Sequence, residues 1–545
     1  MAHLVRPPCD EAVIHSKPAS PRAVSAVKDA GTWVLVATIL GSSLSFIDGT
    51  VVNVALPTLQ RELHATVADV QWVIEAYSLF LSALILVGGS LGDRLGRRRI
   101  FSLGIMLFTA ASVACGLAPN ALALIIARGV QGIGGALLVP GSLAIISASF
   151  DKTKRGRAIG TWAAFTTVTS ALGPVLGGWL IQTATWRLIF FINVPIAVLT
   201  LLITFWRVPE SRDEHSAGPL DWWGAGLATL GLGALVYGLI QSSASGFGEP
   251  VVWAMLVVGV GALIVFVVVE ARRAAPMVPL SLFRSRTFSG TNLLTLLLYG
   301  GLGGSLYFLP FTLQQVQGYT AAEAGAALLP MTAMIFLMSR WAGGLVTRYG
   351  AKLPLVVGPI IAAAGFALFA LPGLGGSYWT TYFPAIVTLS LGMSIVIAPL
   401  TTAVMNSVSV DRSGVASGIN NAVSRTAGLL AIAAINLIVV AVFTSAFDSQ
   451  LSGLPLPAAA RAALDTQRSR LAGAQIPSGL SPALHGAVQR AIDLSFIDGF
   501  RAAMLTASAL ALAASVAAGL LVEGKQRKDT MQETPAATSA GQSSD

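Results

Sequence analysis

Apolar segments of about 20 residues recur along this chain, and each is long enough to cross the hydrocarbon core of a bilayer as an α-helix. The 545 residues are 54% hydrophobic and only 11% charged. Soluble domains carry about 25% charged residues. The chain is therefore predicted to be an all-α integral membrane protein with many spans.

Counting these segments gives fourteen predicted spans, numbered here in chain order. They cover residues 33–56, 70–91, 100–118, 121–149, 158–181, 187–206, 222–241, 251–270, 290–313, 321–346, 353–372, 379–401, 413–443 and 500–522. Spans 1–6 and 9–14 form two six-helix halves, and spans 7 and 8 form an extra central pair. Because the number of spans is even, both termini are expected on the same side of the membrane.

Five regions follow from this count. They are an N-terminal tail at 1–32, the first half at 33–206, a linker with the extra pair at 207–289, the second half at 290–522 and a C-terminal tail at 523–545. The second half includes a long outward loop at 444–499, in which two short amphipathic helices are predicted. The Ser-, Thr- and Gln-rich C-terminal tail is predicted to be disordered.

Basic residues lie mainly in alternate short loops. The loops on the side of the N-terminus hold about 17 Lys and Arg, and the opposite loops hold roughly two, Arg61 and Arg187. Cytoplasmic loops are enriched in Lys and Arg, so both termini are predicted to be cytoplasmic. This asymmetry accounts for most of the net charge of +9. Membrane lipids are therefore expected partners of the basic loops, and nucleic acid is not.

The stretch that follows span 2 is partly repeated after span 10. GGSLGDRLGRRR covers Gly88–Arg99, and GGLVTRYGAK covers Gly343–Lys352. Repeated halves with a binding site between them are typical of secondary transporters. The sequence contains no Walker-type phosphate loop, so ATP-driven transport within this chain is not expected. No cofactor or metal is expected either, and a proton gradient is the expected driving force.

Four short motifs fall in order on the first five spans. They are IDGTVVNVALP in span 1, GSLGDRLGRR after span 2, RGVQGIGGAL in span 4 and LGPVLGGWL in span 5. Together they resemble the major facilitator superfamily, and more closely its fourteen-spanning branch of drug:proton antiporters. The resemblance covers nearly all of residues 33–522. It implies an antiporter in the bacterial cytoplasmic membrane that exports lipophilic drugs or toxic metabolites in exchange for protons.

The resemblance also assigns a role to the loop after span 2. This loop would be a cytoplasmic latch between conformations that docks near Ser413, at the start of span 13. Its glycines allow a tight turn, and its acid can face a helix N-terminus. An anchor that only fixes topology is the alternative. The residues concerned are Gly89, Asp93, Arg94, Gly96 and Arg97.

The motif in span 5 contains Gly173 and Pro174, followed by Gly177 and Gly178. The proline removes a backbone donor and bends the helix, and the later glycines allow a neighbouring helix to pack closely. In the resembled family this motif marks exporters, whereas a packing kink without further function is the alternative. Thr169 stands where that family often has another glycine.

Few charges lie within the spans. Asp48 is deep in span 1, and an intramembrane acid is a functional hypothesis by default. Counting the helical rise from the outer ends places Asp48 and Arg128 of span 4 at depths of about 13 and 12 Å. Burial disfavours an ionised carboxylate and a nearby arginine favours it. Asp48 is therefore predicted to bind and release the coupled proton, with Arg128 promoting release.

Three other charges complete this set. Glu75 in span 2 is the second candidate for the coupled proton, or else a solvated residue of an outer vestibule. Arg340 lies near a helix end and is expected to extend toward water. Arg425 is deeper, so it either has an ionic partner or lines a cavity.

Aromatic and amide side chains of several spans are candidates for a central substrate cavity. Each of them is individually compatible with ordinary packing. As a set they suit a bulky lipophilic guest, including a cation held by cation–π contacts. The set is Gln131, Trp162, Phe165, Tyr299, Tyr307, Gln314 and Asn421.

The sequence thus favours proton-coupled export of lipophilic compounds, without enzyme activity. A transporter of the same fold that is dedicated to one defined solute stays open, because the sequence does not identify the substrate. A membrane receptor or membrane enzyme is the third interpretation. The five His and two Cys form no cluster that resembles a catalytic or metal site, which argues against an enzyme.

Overall fold

The structure is a computed structural model, and it describes residues 21–150, 152–212, 221–273, 276, 278–408, 413–477 and 479–523. Within these ranges the chain forms helices and no strands. The helices are α1 Pro21–Glu62, α2 Val67–Leu95, α3 Arg97–Gly116, α4 Ala121–Ser149, α5 Lys152–Thr183, α6 Leu188–Phe191, α7 Asn193–Arg207, α8 Trp222–Ser245, α9 Pro250–Arg272, α10 Arg286–Leu306, α11 Leu309–Phe311, α12 Ala321–Ala326, α13 Leu329–Tyr349, α14 Lys352–Phe369, α15 Tyr378–Asn406, α16 Ser413–Ser452, α17 Ala458–Thr466 and α18 Pro482–Leu521. The 3₁₀ helices Leu280–Arg284 and Arg468–Gly473 and the π-helix Thr312–Val316 complete the set.

Thirteen helical segments of the described chain are long and apolar enough to cross a membrane. Helix α5 occupies the position of predicted span 5 and adds one more helical segment to these. The all-α membrane fold is therefore confirmed, with a number of spans close to the predicted fourteen.

Several helix ends differ from the predicted ones. Helix α1 continues through Pro57 to Glu62 instead of ending at residue 56. Helices α16 and α18 extend into residues 444–499, so the connection between them is shorter than predicted. Apolar windows locate only the part of a helix that suits hydrocarbon, whereas these helices continue as polar or amphipathic turns. The predicted tails at residues 1–20 and 524–545 lie outside the described residues.

The helices pack as two bundles joined by a smaller pair. In the first half α4 contacts α2 and α3, and α1 contacts α5 and α7. In the second half α10 contacts α16 and α18, and α15 contacts α13 and α14. The halves meet where α5 contacts α12 and α13, and where α2 contacts α16. Helices α8 and α9 pack on each other, and α8 lies against both α2 and α16.

Polar side chains fix several helix starts. Thr66 and Asp69 form a capping box at the start of α2, and Thr320 and Glu323 form a second one at the start of α12. The Asn120 side chain accepts a hydrogen bond from the first turn of α4. Such caps satisfy backbone donors that have no partner inside the helix.

The two halves are in contact at one end of the bundle, the end that the loop charges predict to face outward and that is called the outer end below. There Gln60 of α1 donates to the carbonyl oxygen of Arg470 at 3.1 Å and accepts from Gln315 at 3.0 Å. Gln314 donates to the carbonyl oxygen of Val54 at 2.9 Å. The described conformation is therefore closed at the outer end.

Candidate functional site: a buried ion pair in the first half

Asp48 of α1 and Arg128 of α4 form an ion pair inside the first half. Arg128 Nη1 donates to Asp48 Oδ2 at 2.5 Å. The two side chains are 0% and 2% exposed, respectively. The helical rise alone places these residues at one depth, and the structure places them in direct contact.

The side chains of Gln131 and Asn193 complete the hydrogen bonding of this pair. Gln131, one turn after Arg128, accepts from it at 2.8 Å and donates to Asp48 at 2.9 Å. Asn193 at the start of α7 donates to Asp48 at 3.5 Å and to Ser112 of α3 at 2.9 Å. A buried charge is tolerated when it is paired and hydrogen-bonded. Helices α1, α3, α4 and α7 together provide that environment.

The rest of the Arg128 guanidinium contacts α2. Its Nε donates to the carbonyl oxygen of Val73 at 3.0 Å. Its Cζ lies 4.3 Å from the ring centre of Tyr77, in cation–π geometry. The Tyr77 hydroxyl in turn shares a 2.6 Å hydrogen bond with Ser45 of α1. Arg128 of α4 therefore contacts both α1 and α2, in addition to neutralising Asp48.

The glycines of the RGVQGIGGAL motif let these helices approach α4. A Cβ at Gly132 would overlap the backbone of Tyr77 on α2. A Cβ at Gly134 would come within 2.8 Å of the Cα of Phe108 on α3. Any larger residue at these positions would push α2 and α3 away from α4, so the motif is part of what brings Arg128 to its partners.

The contact between Asp48 and Arg128 depends on the relative position of α1 and α4. A charged side chain is costly to bury without a partner. A shift of α1 against α4 that lengthens the contact would therefore leave both side chains in an unfavourable environment. Within the described residues, no group of three or more His, Cys, Asp or Glu side chains is placed to hold a metal ion.

Glu75 of α2 is a second buried acid, which contradicts the alternative of a solvated vestibule residue. Neither oxygen of its carboxyl group has a hydrogen-bond partner in the part of the chain that the structure describes. The side-chain amide of Gln71, one turn earlier, and the hydroxyl of Tyr307, the residue that follows α10, are likewise without partners there. An ionised carboxylate is costly to bury without a partner. Glu75 therefore keeps its place as the second candidate for the coupled proton.

The motif in α5 joins that helix to α1. Pro174 lies inside the helix and has no N–H for the carbonyl of Ser170, four residues earlier. Thr50 of α1 supplies the missing donor, with its Oγ1 donating to that carbonyl at 3.0 Å. Gly173 leaves the room for this contact, because a Cβ there would overlap Thr50 Oγ1. Gly177 packs against α1 one turn further on.

The last glycine of the motif lies at the contact between the halves. A Cβ at Gly178 would overlap the carbonyl of Ala321 and come within 2.7 Å of the Cα of Ala322, both on α12. In return, Gly325 of α12 lies against the backbone of Pro174. This close backbone contact is part of the closed outer end.

The loop between α2 and α3 is held by contacts within the first half. Arg97 donates to Asp93 at 2.8 Å, so the acid faces the start of α3. Gly96 has a φ of 112°, a conformation that favours glycine. Glu210, in the segment after α7, accepts from the backbone N–H of Arg98 at 3.0 Å. The loop is thereby fastened to the end of α7.

Four other residues named from the sequence are Gly89, Arg94, Ser413 and Arg340, and the structure describes the side-chain surroundings of the first two only. Gly89 packs near Pro140 of α4, and Arg94 is partly exposed. The side chains of Ser413 and Arg340 lie outside the described part of the chain. Docking of the loop near Ser413 stays a prediction, as does the extension of Arg340 toward water.

Two of the seven predicted cavity residues, Tyr299 and Asn421, line a cavity of about 220 Å³. Helices α10, α15 and α16 of the second half bound this cavity. It also contacts Val404 and Ser417, which lie in the terminal turns of α15 and α16 that are predicted to face inward. The space therefore lies away from the closed outer end.

The remaining five residues lie elsewhere, so the set does not form one cavity wall. Gln131 belongs to the buried ion-pair network. Trp162 donates to Ser42 of α1 at 3.0 Å. A role of these five residues in substrate binding stays a prediction, and both faces of such helices are apolar. The sequence then does not show which face a lone amide or aromatic residue occupies.

Tyr307 is buried against Phe308 and Phe311. Gln314 belongs to the outer contact with α1, and the ring of Phe165 is exposed.

The sequence did not indicate the hydrogen bonds that three polar side chains make, those of Asn193, Ser112 and Thr50. Each is a small polar residue inside an apolar span, where such residues are common, so type alone does not distinguish them.

Two helical halves that contact each other at one end, with a buried ion pair in the first half and a cavity in the second, are the architecture of an alternating-access membrane transporter. The chain belongs to the Major Facilitator Superfamily, whose family model matches residues 38–432. The family that the four motifs resemble is thereby confirmed.

Similar proteins are concerned with drug resistance and export. The tetracenomycin C resistance and export protein of Streptomyces glaucescens is 32% identical over 516 residues, which cover 93% of this chain and 95% of that protein. The multidrug resistance protein Stp of Mycobacterium tuberculosis is 34% identical and covers 87% of this chain and 89% of its own. The puromycin resistance protein pur8 of Streptomyces alboniger is 35% identical, with coverage of 74% and 81%.

Among solved structures, a bacterial homologue of the human lysosomal transporter Spinster, inward-facing and occupied, matches with a TM-score of 0.60. The match covers 89% of this chain and 97% of that chain. The sequences are 18% identical, so the likeness concerns the fold.

Proposed function

We propose that this protein is a proton-driven exporter of lipophilic small molecules, including antibiotics, in the cytoplasmic membrane of a bacterium. The names of the similar proteins support export of drugs. The observation that carries the proton-driven mechanism is the buried contact between Asp48 and Arg128. No cofactor or enzymatic step takes part, and the proton gradient is the energy source.

In the proposed cycle the halves 33–206 and 290–522 rock against each other, with the pair in 207–289 alongside them. When the outer end is closed, Asp48 is ionised and paired, and substrate binds from the inside. When the outer end opens, α1 shifts against α4 and the contact lengthens. Asp48 then takes a proton from outside as substrate leaves. Return to the outer-closed state restores Arg128 to Asp48 and releases the proton inside.

This cycle requires the orientation predicted from loop charge, with both termini in the cytoplasm. Glu75 is the second site that can carry the proton, since its carboxyl is buried between α2 and its neighbours without a partner in the described chain. Substitution of each acid separately distinguishes the two.

The test is accumulation of several unrelated lipophilic compounds in cells that express the protein. Expressing cells should accumulate less of each compound than control cells, and a protonophore should abolish the difference. Export of one compound only would favour the dedicated transporter. Export that persists after the gradient has collapsed would contradict proton drive.

A further inference from the structure

Arg425 of α16 is a charge that the proposed proton pathway does not use. It lies twelve residues after the start of α16, which is about 18 Å along the helix axis. Its side chain is partly exposed. In the described ranges, Arg425 has no hydrogen bond or ion pair. A guanidinium in an apolar bundle without a partner is costly, so a ligand that supplies one is favoured.

The position of Arg425 connects it to the cavity in the second half. Asn421, one turn earlier and therefore on the same helix face, lines that cavity, and so does the adjacent Ser424. Ala422 of the same helix packs against the core of the first half. The guanidinium is near enough to Tyr77 of α2 to interact with it electrostatically. Arg425 thus lies between the cavity and the opposite half.

The cavity wall itself carries no charge among the described residues. Its polar groups are hydroxyls and amides, and the rest is apolar. The full lining is Tyr299, Ile397, Leu400, Thr401, Val404, Ser417, Asn420, Asn421 and Ser424.

The acids of the first half do not offset Arg425. Asp48 is fully buried and already neutralised by Arg128. Glu75 is fully buried and forms no ion pair with Arg425 in the described ranges. Because electrostatic interactions are strong in a space partly shielded from water, the partly buried guanidinium of Arg425 sets the sign of the local field. That field attracts an anion and repels a cation.

We propose that this cavity binds lipophilic weak acids, such as aromatic carboxylates or phenolates, with Arg425 contacting the anionic oxygen. Charge-assisted hydrogen bonds of this kind are short and strong. The hydroxyls and amides of the wall suit further oxygen groups on the guest, and the Tyr299 ring suits its aromatic part. This inference rests on the proposed export function, and it replaces the cation preference expected from the aromatic residues.

The charge of the substrate changes the energetics of exchange. Exchange of one proton inward for one anion outward moves two positive charges toward the cell interior. The inside-negative membrane potential therefore drives the cycle strongly. Exchange of a proton for a monovalent cation moves no net charge.

The first experiment measures binding to the purified wild-type protein for three matched probes: an aromatic carboxylic acid dye, its neutral methyl ester and its cationic amine analogue. The acid should bind on the order of tenfold more tightly than the ester, and the amine more weakly than the ester. Equal binding of acid and ester, or preference for the amine, would overturn the inference without any variant.

The second experiment compares Arg425→Gln, Arg425→Lys and the control Arg501→Gln, which changes an arginine paired with Asp498. Arg425→Gln should weaken binding of the acid about tenfold and leave the ester unchanged, whereas Arg425→Lys should retain part of the preference. The control should match wild type. Equal weakening of acid and ester by Arg425→Gln would assign Arg425 a structural role only.

Transport in proteoliposomes separates this inference from the proposed function. Acid export should slow several-fold when valinomycin and potassium remove the membrane potential at constant pH gradient, and ester export should slow less. If the wild type transports none of the three probes although it binds the acid selectively, the export function fails and the assigned binding site stands. If it exports all three equally, the export function stands and the inference fails.

Discussion

Replacement of Gly178 by leucine should open the outer end of the transporter. A Cβ at this position would lie 2.7 Å from the Cα of Ala322, whereas ordinary carbon contacts are about 3.5–4.0 Å. The obstacle is backbone, which cannot rotate away as a side chain does. Helices α5 and α12 would therefore have to separate by about 1 Å, and a leucine side chain requires more.

The cost falls on one state of the cycle, because opening of the outer end separates these helices. Overpacking of a tight contact costs roughly 1–3 kcal/mol. At about 1.4 kcal/mol per tenfold change in an equilibrium constant, the ratio of open to closed protein should rise about 5- to 150-fold. Export should fall because the closed state is rarely reached, while the amount of protein in the membrane should not.

Spin labels at Gln182 of α5 and Thr380 of α15, both exposed at outer helix ends, measure this change. The labels are introduced after replacement of the two native cysteines by alanine. Gly178→Leu should shift the distance distribution toward longer values. The control is Gly160→Leu in the same helix, where a Cβ would have nothing within 4 Å, and it should match wild type. An unchanged distribution in Gly178→Leu would refute the argument that this contact closes the outer end.

Three further predictions concern the site and the topology. Thr50→Val should lower the free energy of unfolding by about 1–3 kcal/mol, because the carbonyl of Ser170 loses its hydrogen-bond donor. Thermal unfolding in detergent measures this change, and an unchanged melting temperature would contradict it. Arg128→Ala should cost about 3–5 kcal/mol, since it leaves a buried carboxylate unpaired, and Asp48→Asn in the same background should recover part of that loss. A cysteine at Gly248 should react with an impermeant reagent added outside intact cells, and one at Ser281 should not; the reverse pattern would invert the topology.

The sequence predicts the fold of this protein well because bilayer thickness imposes a length on every apolar segment. It predicts helix ends less well, as α1 and α18 show, because helices continue beyond the hydrocarbon where no such length applies. Pro57 did not end α1, although a proline usually marks a boundary.

The ion pair was predictable because charges inside spans are rare and depth follows from helical rise. Asp48 and Arg128 are both charged residues inside spans, and the helical rise places them at the same depth. The amide and hydroxyl partners were not predictable, since Asn193 and Ser112 are ordinary residues until the rotation of their helices is known. Gln131 was predicted to line the cavity because it is an amide inside a span. Since the rotation of its helix is not known from the sequence, its contact with the ion pair could not be predicted.

The most direct test of the account is substrate-induced proton movement in proteoliposomes that contain wild-type protein, Asp48→Asn or Glu75→Gln. A pH-sensitive dye inside the vesicles reports protons, and a fluorescent substrate reports transport in the same sample. Asp48→Asn should still bind substrate but should exchange no protons for it, whereas Glu75→Gln should retain exchange. If Asp48→Asn exchanges protons for substrate at close to the wild-type rate, the coupling acid is not Asp48, and loss of exchange in Glu75→Gln would assign the role to Glu75.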